Sequence, residues 1–345
     1  MAPALHGAPT YFVGTVESSL AVKHAAFLFP GQGSQKVGMG ADLCRSFSEA
    51  RTIFDRANET LGFDLKQLCF EGPEELLRET ENAQPALFTA SVAALRCFQS
   101  SLDVVPSAVA GHSVGEYAAL VAAGSLEFSD GLALVRRRGE LMRDAARSQS
   151  TPGGMAAILG LEAVDALAAC DQARAEGAGQ VSVANYNGGG QVVISGEQAA
   201  VERAGEIAKD RGARRVIPLS VSGAFHSPLM VTAGDALFAD LSKTAFRKPL
   251  VPIVSNIEAR YTASPSDVVA GLTMQVSGSV RWEESMQLLL RDGIDTVIEF
   301  GSGDVLCGLM KRIAPKGAVE TCAVYDTTGL DAAVTLLNPK TVSST

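Results

Sequence analysis

The segment Gly111-His112-Ser113-Val114-Gly115 constrains this chain most, because it sets a serine between two glycines at the junction of two apolar runs. Before it, Ala108-Val109-Ala110 predicts a short strand; after it, VGEYAALVAA (114–123) predicts a helix closed by Gly124. A strand, G-x-S-x-G and a helix in that order describe a sharp elbow, on which small neighbours leave the serine hydroxyl exposed at a helix N-terminus. The plainer alternative is a glycine turn whose serine caps the helix.

The remaining pattern is mixed α/β. AAFLF (25–29) predicts a buried strand that runs into the loop GQGSQKVGMG, where no Walker-type lysine follows and the glycines serve close backbone approach. Between 153 and 220 the order is strand (MAAILGL), helix (162–175), strand (VSVANYN), strand (QVVISG), helix (197–212), strand (RRVIPLS). That βαββαβ order is the ferredoxin-like pattern, compact enough to be an insert. Mixed α/β sequence then resumes with VPIVSNI as strand, a helix over 282–291, DTVIEF as strand and a helix over 304–313. The division expected is an extension over 1–23, a core made of 24–152 and 221–336, the insert 153–220, and a tail over 337–345.

With 345 residues, 47% of them hydrophobic, the chain can bury a large core with an insertion. A net charge of −9 argues against nucleic acid as ligand, since phosphate binding needs a basic surface. No apolar run approaches the roughly 18 to 20 residues that span a bilayer, and the N-terminus has no basic segment followed by an apolar one, so a cytoplasmic protein is expected. The six cysteines are scattered without ligand spacing and read as buried free thiols; no metal site is indicated.

A serine nucleophile needs a general base, usually histidine. Of the four histidines, His6 lies in the extension, His24 at the edge of the first strand, and His112 beside the serine, where neighbours on an elbow point apart. His226, in VSGAFHSPLM just past the insert, remains as the candidate. A developing oxyanion needs N–H donors; the amide of Val114 stands at the helix N-terminus, and the GQGSQ loop can offer that of Gln32. In the helix over 129–147, Leu134, Arg138, Leu141 and Met142 share one face, so Arg138 sits on an apolar stripe and requires an anionic partner.

Assembled, these residues resemble the malonyl-CoA:acyl-carrier-protein transacylase family and the related acyltransferase domains of fatty-acid and polyketide synthases. The matching segments, in the family's order, are FPGQGSQ (29–35), QPAL (84–87), GHSVGEY (111–117), Arg138-Gly139, the segment from NYN to VVISG (185–196), SGAFHSPLM (222–230) and Gln275 through Trp282. The resemblance implies an α/β-hydrolase-like core carrying the ferredoxin-like insert, with the site between them. It implies that Ser113 takes malonyl from malonyl-CoA and passes it to the phosphopantetheine thiol of acyl-carrier protein, with His226 as base and then acid. On the same resemblance the amides of Gln32 and Val114 form the oxyanion hole, Arg138 pairs with the free malonyl carboxylate, and Gln275 orients the histidine. Asn185 and Asn187 match positions near the active site, and Phe225 before the histidine matches malonyl-selective members, although Gly223 stands where modular synthases have histidine. No organic cofactor is implied, and a monomer is expected.

Rival readings are a serine thioesterase or hydrolase, a free-standing acyltransferase serving a polyketide synthase, and a non-enzyme that only binds carrier. Carrier proteins are acidic like this chain, so docking is expected on a local basic patch drawn from Arg211, Arg214, Arg215, Lys311 and Arg312.

Overall fold

The computed structural model describes residues 20–338, so the expectations for 1–19 and 339–345 lie outside the described residues. Among the described residues nine strands form two sheets. β1 (Leu20–Phe29) leads into five helices, α1 (Ala41–Ser46), α2 (Ser48–Leu61), α3 (Leu65–Glu71), α4 (Glu74–Arg78) and α5 (Thr80–Ser101). Then come β2 (Val104–Gly111), α6 (Gly115–Ala122) and α7 (Phe128–Ser148). The next unit is β3 (Gly153–Leu159), α8 (Ala163–Ala175), β4 (Val181–Gly188), β5 (Gln191–Glu197), α9 (Gln198–Asp210) and β6 (Arg215–Pro218). The chain closes with α10 (Val231–Leu241), β7 (Ile253–Val254), α11 (Pro265–Gln275), α12 (Trp282–Arg291), β8 (Thr296–Phe300), α13 (Val305–Ile313), β9 (Glu320–Val324) and α14 (Thr327–Leu337).

The first sheet is parallel, in the order β7-β2-β1-β8-β9. Parallel sheets are covered on both faces, which is why residues 25–29 of β1 read as an unbroken apolar run. Its side chains divide by period two: Phe27 and Phe29 join the cluster built on α2, α5 and α7, while Ala26 and Leu28 join Trp282 of α12 and Leu306 and Leu309 of α13. On the first of these faces Phe27 meets Phe300 at 4.9 Å and Phe98 at 5.7 Å, both edge-on.

The second sheet is antiparallel, in the order β4-β5-β3-β6. Ala156, Ile158, Val183 and Ile194 on one face pack against the alanine-rich sides of α8 and α9. Met155, Ala157 and Val193 on the other face turn toward the first sheet's loops and line the cavity described below. One face of this sheet is therefore structural and the other belongs to the site.

Two strand expectations are corrected. β1 begins at Leu20 rather than Ala25, inside the segment assigned to an extension; the register with β2 shifts between Val22 and Ala26, and His24 has φ 71°, an irregularity that breaks the apolar run. VPIVSNI pairs only at Ile253 and Val254, because the chain leaves the sheet edge there to send Asn256 to the elbow. The six cysteines are free, five of them buried, while Cys322 is only half-buried. Among the described residues no helix is long and apolar enough to cross a membrane.

Candidate active site

The elbow is dictated by sterics. A Cβ on Gly111 would come within 2.0 Å of the Gly115 carbonyl, and one on Gly115 within 2.1 Å of the Phe29 carbonyl at the end of β1. Ser113 between them has φ 52°, a left-handed conformation costly for a side-chain-bearing residue. Asn256 holds the turn: its Oδ1 accepts from the Ser113 amide at 2.7 Å and its Nδ2 donates to the Gly111 carbonyl at 2.7 Å. Gly115→Ala is expected to destabilise the protein by about 3 kcal/mol, the upper end of overpacking costs, because backbone rather than a flexible side chain would have to move. Chemical denaturation measures it; an unchanged unfolding midpoint would contradict this account of the turn.

Ser113 and His226 meet at the bottom of a cavity of about 500 Å³ between the parallel sheet's loops and the inner face of the antiparallel sheet. The two are 8% and 5% exposed, so the hydroxyl is reached only through that cavity. His226 Nδ1–H donates to the main-chain carbonyls of Gln275 at 2.8 Å and Gly278 at 3.2 Å. This fixes the tautomer, leaving Nε2 to accept from the Ser113 hydroxyl at 2.7 Å. Burial, and then the positive charge of Arg138, push the imidazole down to about 3, so His226 is neutral and able to accept a proton at ordinary pH.

Arg138 comes from the middle of α7 and is 1% exposed. Its Nη2 donates to Ser113 Oγ at 3.1 Å and to Gln275 Oε1 at 3.0 Å, and its Nη1 donates to Gln84 Oε1 at 2.7 Å. All three acceptors are neutral, and the buried Nε has no partner. Among the described residues no carboxylate forms an ion pair with this guanidinium. A buried charge in that state is costly and leaves donors for an incoming anion.

Gln84 extends the network, since its Nε2 donates to Thr80 Oγ1 at 2.9 Å and Thr80 donates to Gln32 Oε1 at 3.0 Å. The side chain of Gln32 is thereby tied to the arginine. Gln32 and Val114 line the cavity beside Ser113, and neither main-chain N–H is engaged by another group among the described residues.

Of the other sequence candidates, Phe225, Asn185 and Asn187 line the cavity, while Gln275 stands behind it. Phe225 is buried in its wall, and Asn185 lines it from β4. Asn187 Oδ1 accepts from His112 Nε2 at 2.9 Å, so this asparagine holds His112 rather than the serine. Gln275 contacts the histidine through its main-chain carbonyl; its side chain instead donates to Glu116 Oε2 at 2.6 Å and to the Ser113 carbonyl at 3.1 Å. Sequence reasoning missed the parts played by Gln84, Asn256 and Glu116. The only signal for Glu116 was a lone acid in the apolar helix GEYAALVA. Among the described residues there is no cluster able to hold a metal ion.

Residues 26–324 match the acyl transferase domain family. The chain is 45% identical over 312 residues to the malonyl CoA-acyl carrier protein transacylase of Bacillus subtilis, covering 90% of this chain and 96% of that protein. An acyl-carrier-protein S-malonyltransferase from Burkholderia pseudomallei superposes with TM-score 0.86 at 43% identity, covering 90% of this chain and 99% of the other. A malonyl-transacylase solved in complex with its holo type II polyketide acyl-carrier protein superposes with TM-score 0.86 at 42% identity, covering 90% and 98%. The chain belongs to the acyl transferase domain family and, within it, to the malonyl CoA-acyl carrier protein transacylases.

Proposed function

We propose that this protein transfers a malonyl group from malonyl-CoA to the phosphopantetheine thiol of an acyl-carrier protein through a malonyl ester on Ser113. The observation that carries the reading is Arg138, a fully buried guanidinium 3.1 Å from the serine hydroxyl with only neutral partners. A malonyl carboxylate supplies an anion in direct contact with the guanidinium, which the protein does not, and a planar fork suits it better than a point charge.

In the first half-reaction Ser113 Oγ attacks the thioester carbonyl while its proton passes to His226 Nε2. The oxyanion is held by the Val114 and Gln32 amides, the C–S bond breaks, and the proton leaves on the CoA thiol. The second half-reaction runs the same steps in reverse with the carrier thiol as nucleophile. Pairing Arg138 with the acyl carboxylate also cancels one of the influences that hold His226 down, so the imidazole becomes a stronger base once the correct substrate is bound. Phe225 closes the wall near the histidine, while Gln275 positions the ring through its carbonyl. Asn185 and Asn187 support the site from β4.

The fold reading that accompanies this function is an α/β-hydrolase-like core with a ferredoxin-like insert. It is supported by the parallel order β7-β2-β1-β8-β9 with the nucleophile after β2, and by two helices covering one face of the β4-β5-β3-β6 sheet. Labelled malonyl-CoA, enzyme and holo carrier should give labelled carrier, with Ser113→Ala inactive; release of free malonate in place of labelled carrier would indicate a hydrolase.

For docking, the five basic residues separate, Arg215 standing exposed at the start of β6. Exposed Arg214 lies against Gly160, after β3, and exposed Arg312 against Gly189, in the turn between β4 and β5 that leads to Gln191 at the cavity wall; the two turns adjoin, the Gly160 amide donating to the Gly190 carbonyl at 2.7 Å. Arg211 instead faces Asp165 at 3.8 Å, and Lys311 lines a separate groove with Glu320 and Asp331. Charge reversal at Arg214 and Arg312 should raise the KM for carrier about tenfold, with serine acylation by malonyl-CoA unaltered. An equal loss in both half-reactions would contradict this placement.

A further inference from the structure

Glu116 is a buried acid for which the transfer steps have no task. It lies on the first turn of α6, 5% exposed, three positions after the nucleophile. Its Oε2 accepts from Gln275 Nε2 at 2.6 Å and from the Asn256 amide at 3.2 Å. The same Gln275 amide accepts, through Oε1, from Arg138 Nη2 at 3.0 Å. One side-chain amide therefore joins the site's guanidinium to a carboxylate, with no solvent between them.

The titratable groups bearing on Glu116 are few. Arg138 of α7 favours its ionised form, and Glu258, just past β7, disfavours it. The Tyr117 phenol, next on α6, is itself pushed up by burial, and His226 is neutral. Burial is the largest influence on Glu116 and raises its carboxyl to about 7 despite the opposing pull of Gln275, Asn256 and Arg138. The carboxyl is thus poised where loss of the arginine's support changes its state.

We propose that Glu116 is the exchangeable counter-charge of Arg138, ionised while the site is empty and protonated when a malonyl carboxylate occupies the guanidinium. This rests on the reading of Arg138 as the malonyl partner. A buried guanidinium balances one carboxylate; a second would remain uncompensated in a medium that penalises charge heavily. The malonyl group arrives ionised and takes the arginine directly, while Glu116 reaches it only through an amide. Glu116 therefore yields, taking one proton from solvent, and the site stays neutral overall. The chemical step itself releases no proton, because the serine's hydrogen ends on the CoA thiol. Proton uptake thus belongs to occupancy of Arg138, and it makes malonyl-CoA binding favour lower pH, by up to about tenfold per pH unit for one linked proton.

The test uses wild-type enzyme in weak buffer between pH 7 and 8 with a pH indicator, the Ser113 ester being counted in parallel by mass spectrometry. Malonyl-CoA should drive uptake of a substantial fraction of one proton per acylated chain, and acetyl-CoA should drive none. Infrared difference spectra should show a new carboxylic-acid band that does not move when the malonyl group carries 13C. Glu116→Gln should lose both the band and the uptake per acylated chain, and the KM for malonyl-CoA should become flat with pH. Malonyl ester formed without proton uptake in the wild type, or uptake undiminished in Glu116→Gln, would overturn the proposal while leaving malonyl transfer intact. Failure of malonyl-CoA to acylate the wild-type serine would instead overturn the functional reading, and this inference with it.

Discussion

Replacing His226 with alanine should lower the rate of Ser113 acylation by about 10⁴-fold, the upper range for loss of a positioned general base. Nothing else in the site can substitute. His112 is committed to Asn187, and its imidazole is held neutral by burial. Glu116 faces Gln275 and Asn256 rather than the hydroxyl. The pH profile adds an independent check. With His226 pushed down to about 3, the acid limb of kcat/KM should fall well below the ordinary histidine value of 6.5, because the free enzyme keeps a neutral base as pH drops. Arg138→Met should move that limb upward with acetyl-CoA as donor, since the largest influence after burial that lowers the imidazole is removed. An acid limb at 6.5 in both proteins would contradict the electrostatic account of the dyad.

Arg138→Ala should reduce kcat/KM for malonyl-CoA by about a thousandfold, close to 4 kcal/mol, the scale expected when one partner of a buried charge pair is truncated. Acetyl-CoA has no distal carboxylate, so its transfer should fall only about tenfold, through loss of the bond from Nη2 to Ser113 Oγ. Selectivity between the two donors should accordingly shift by about a hundredfold. Arg138→Lys should recover little, because a lysine cannot reach Gln84, Gln275 and the substrate with one ammonium. Equal losses for malonyl and acetyl donors would remove Arg138 from acyl recognition and leave it a structural residue.

The parts of the site legible in the sequence are those governed by local rules. The glycines at 111 and 115 announce the elbow because backbone carbonyls occupy the space a Cβ would need. Arg138 is visible because a charge on the stripe of Leu134 and Met142 breaks the helical pattern. His226 followed from the shortage of histidines, and the alternation of strands and helices between 153 and 218 from its period switching between two and 3.6. What stayed hidden depends on contacts distant in sequence. Gln275 reaches Ser113 and Glu116 across 162 and 159 positions, and Asn256 reaches Ser113 across 143. No spacing rule reports such a pairing. Gln275 was also legible only in part, since the atom that orients His226 is a carbonyl any residue would provide. Likewise the start of β1 was obscured by the irregularity at His24, and Ile253–Val254 by being a two-residue edge strand.

In the mechanism proposed above, Ser113 carries the acyl group between two thiols. Mixing the protein with malonyl-CoA, quenching in acid and mapping the adduct by peptide mass spectrometry tests it directly. A malonyl ester is expected on Ser113, absent in Ser113→Ala, that is discharged onto added holo acyl-carrier protein far faster than onto water. An adduct on another residue, or one lost to water at the same rate with and without carrier, would contradict it.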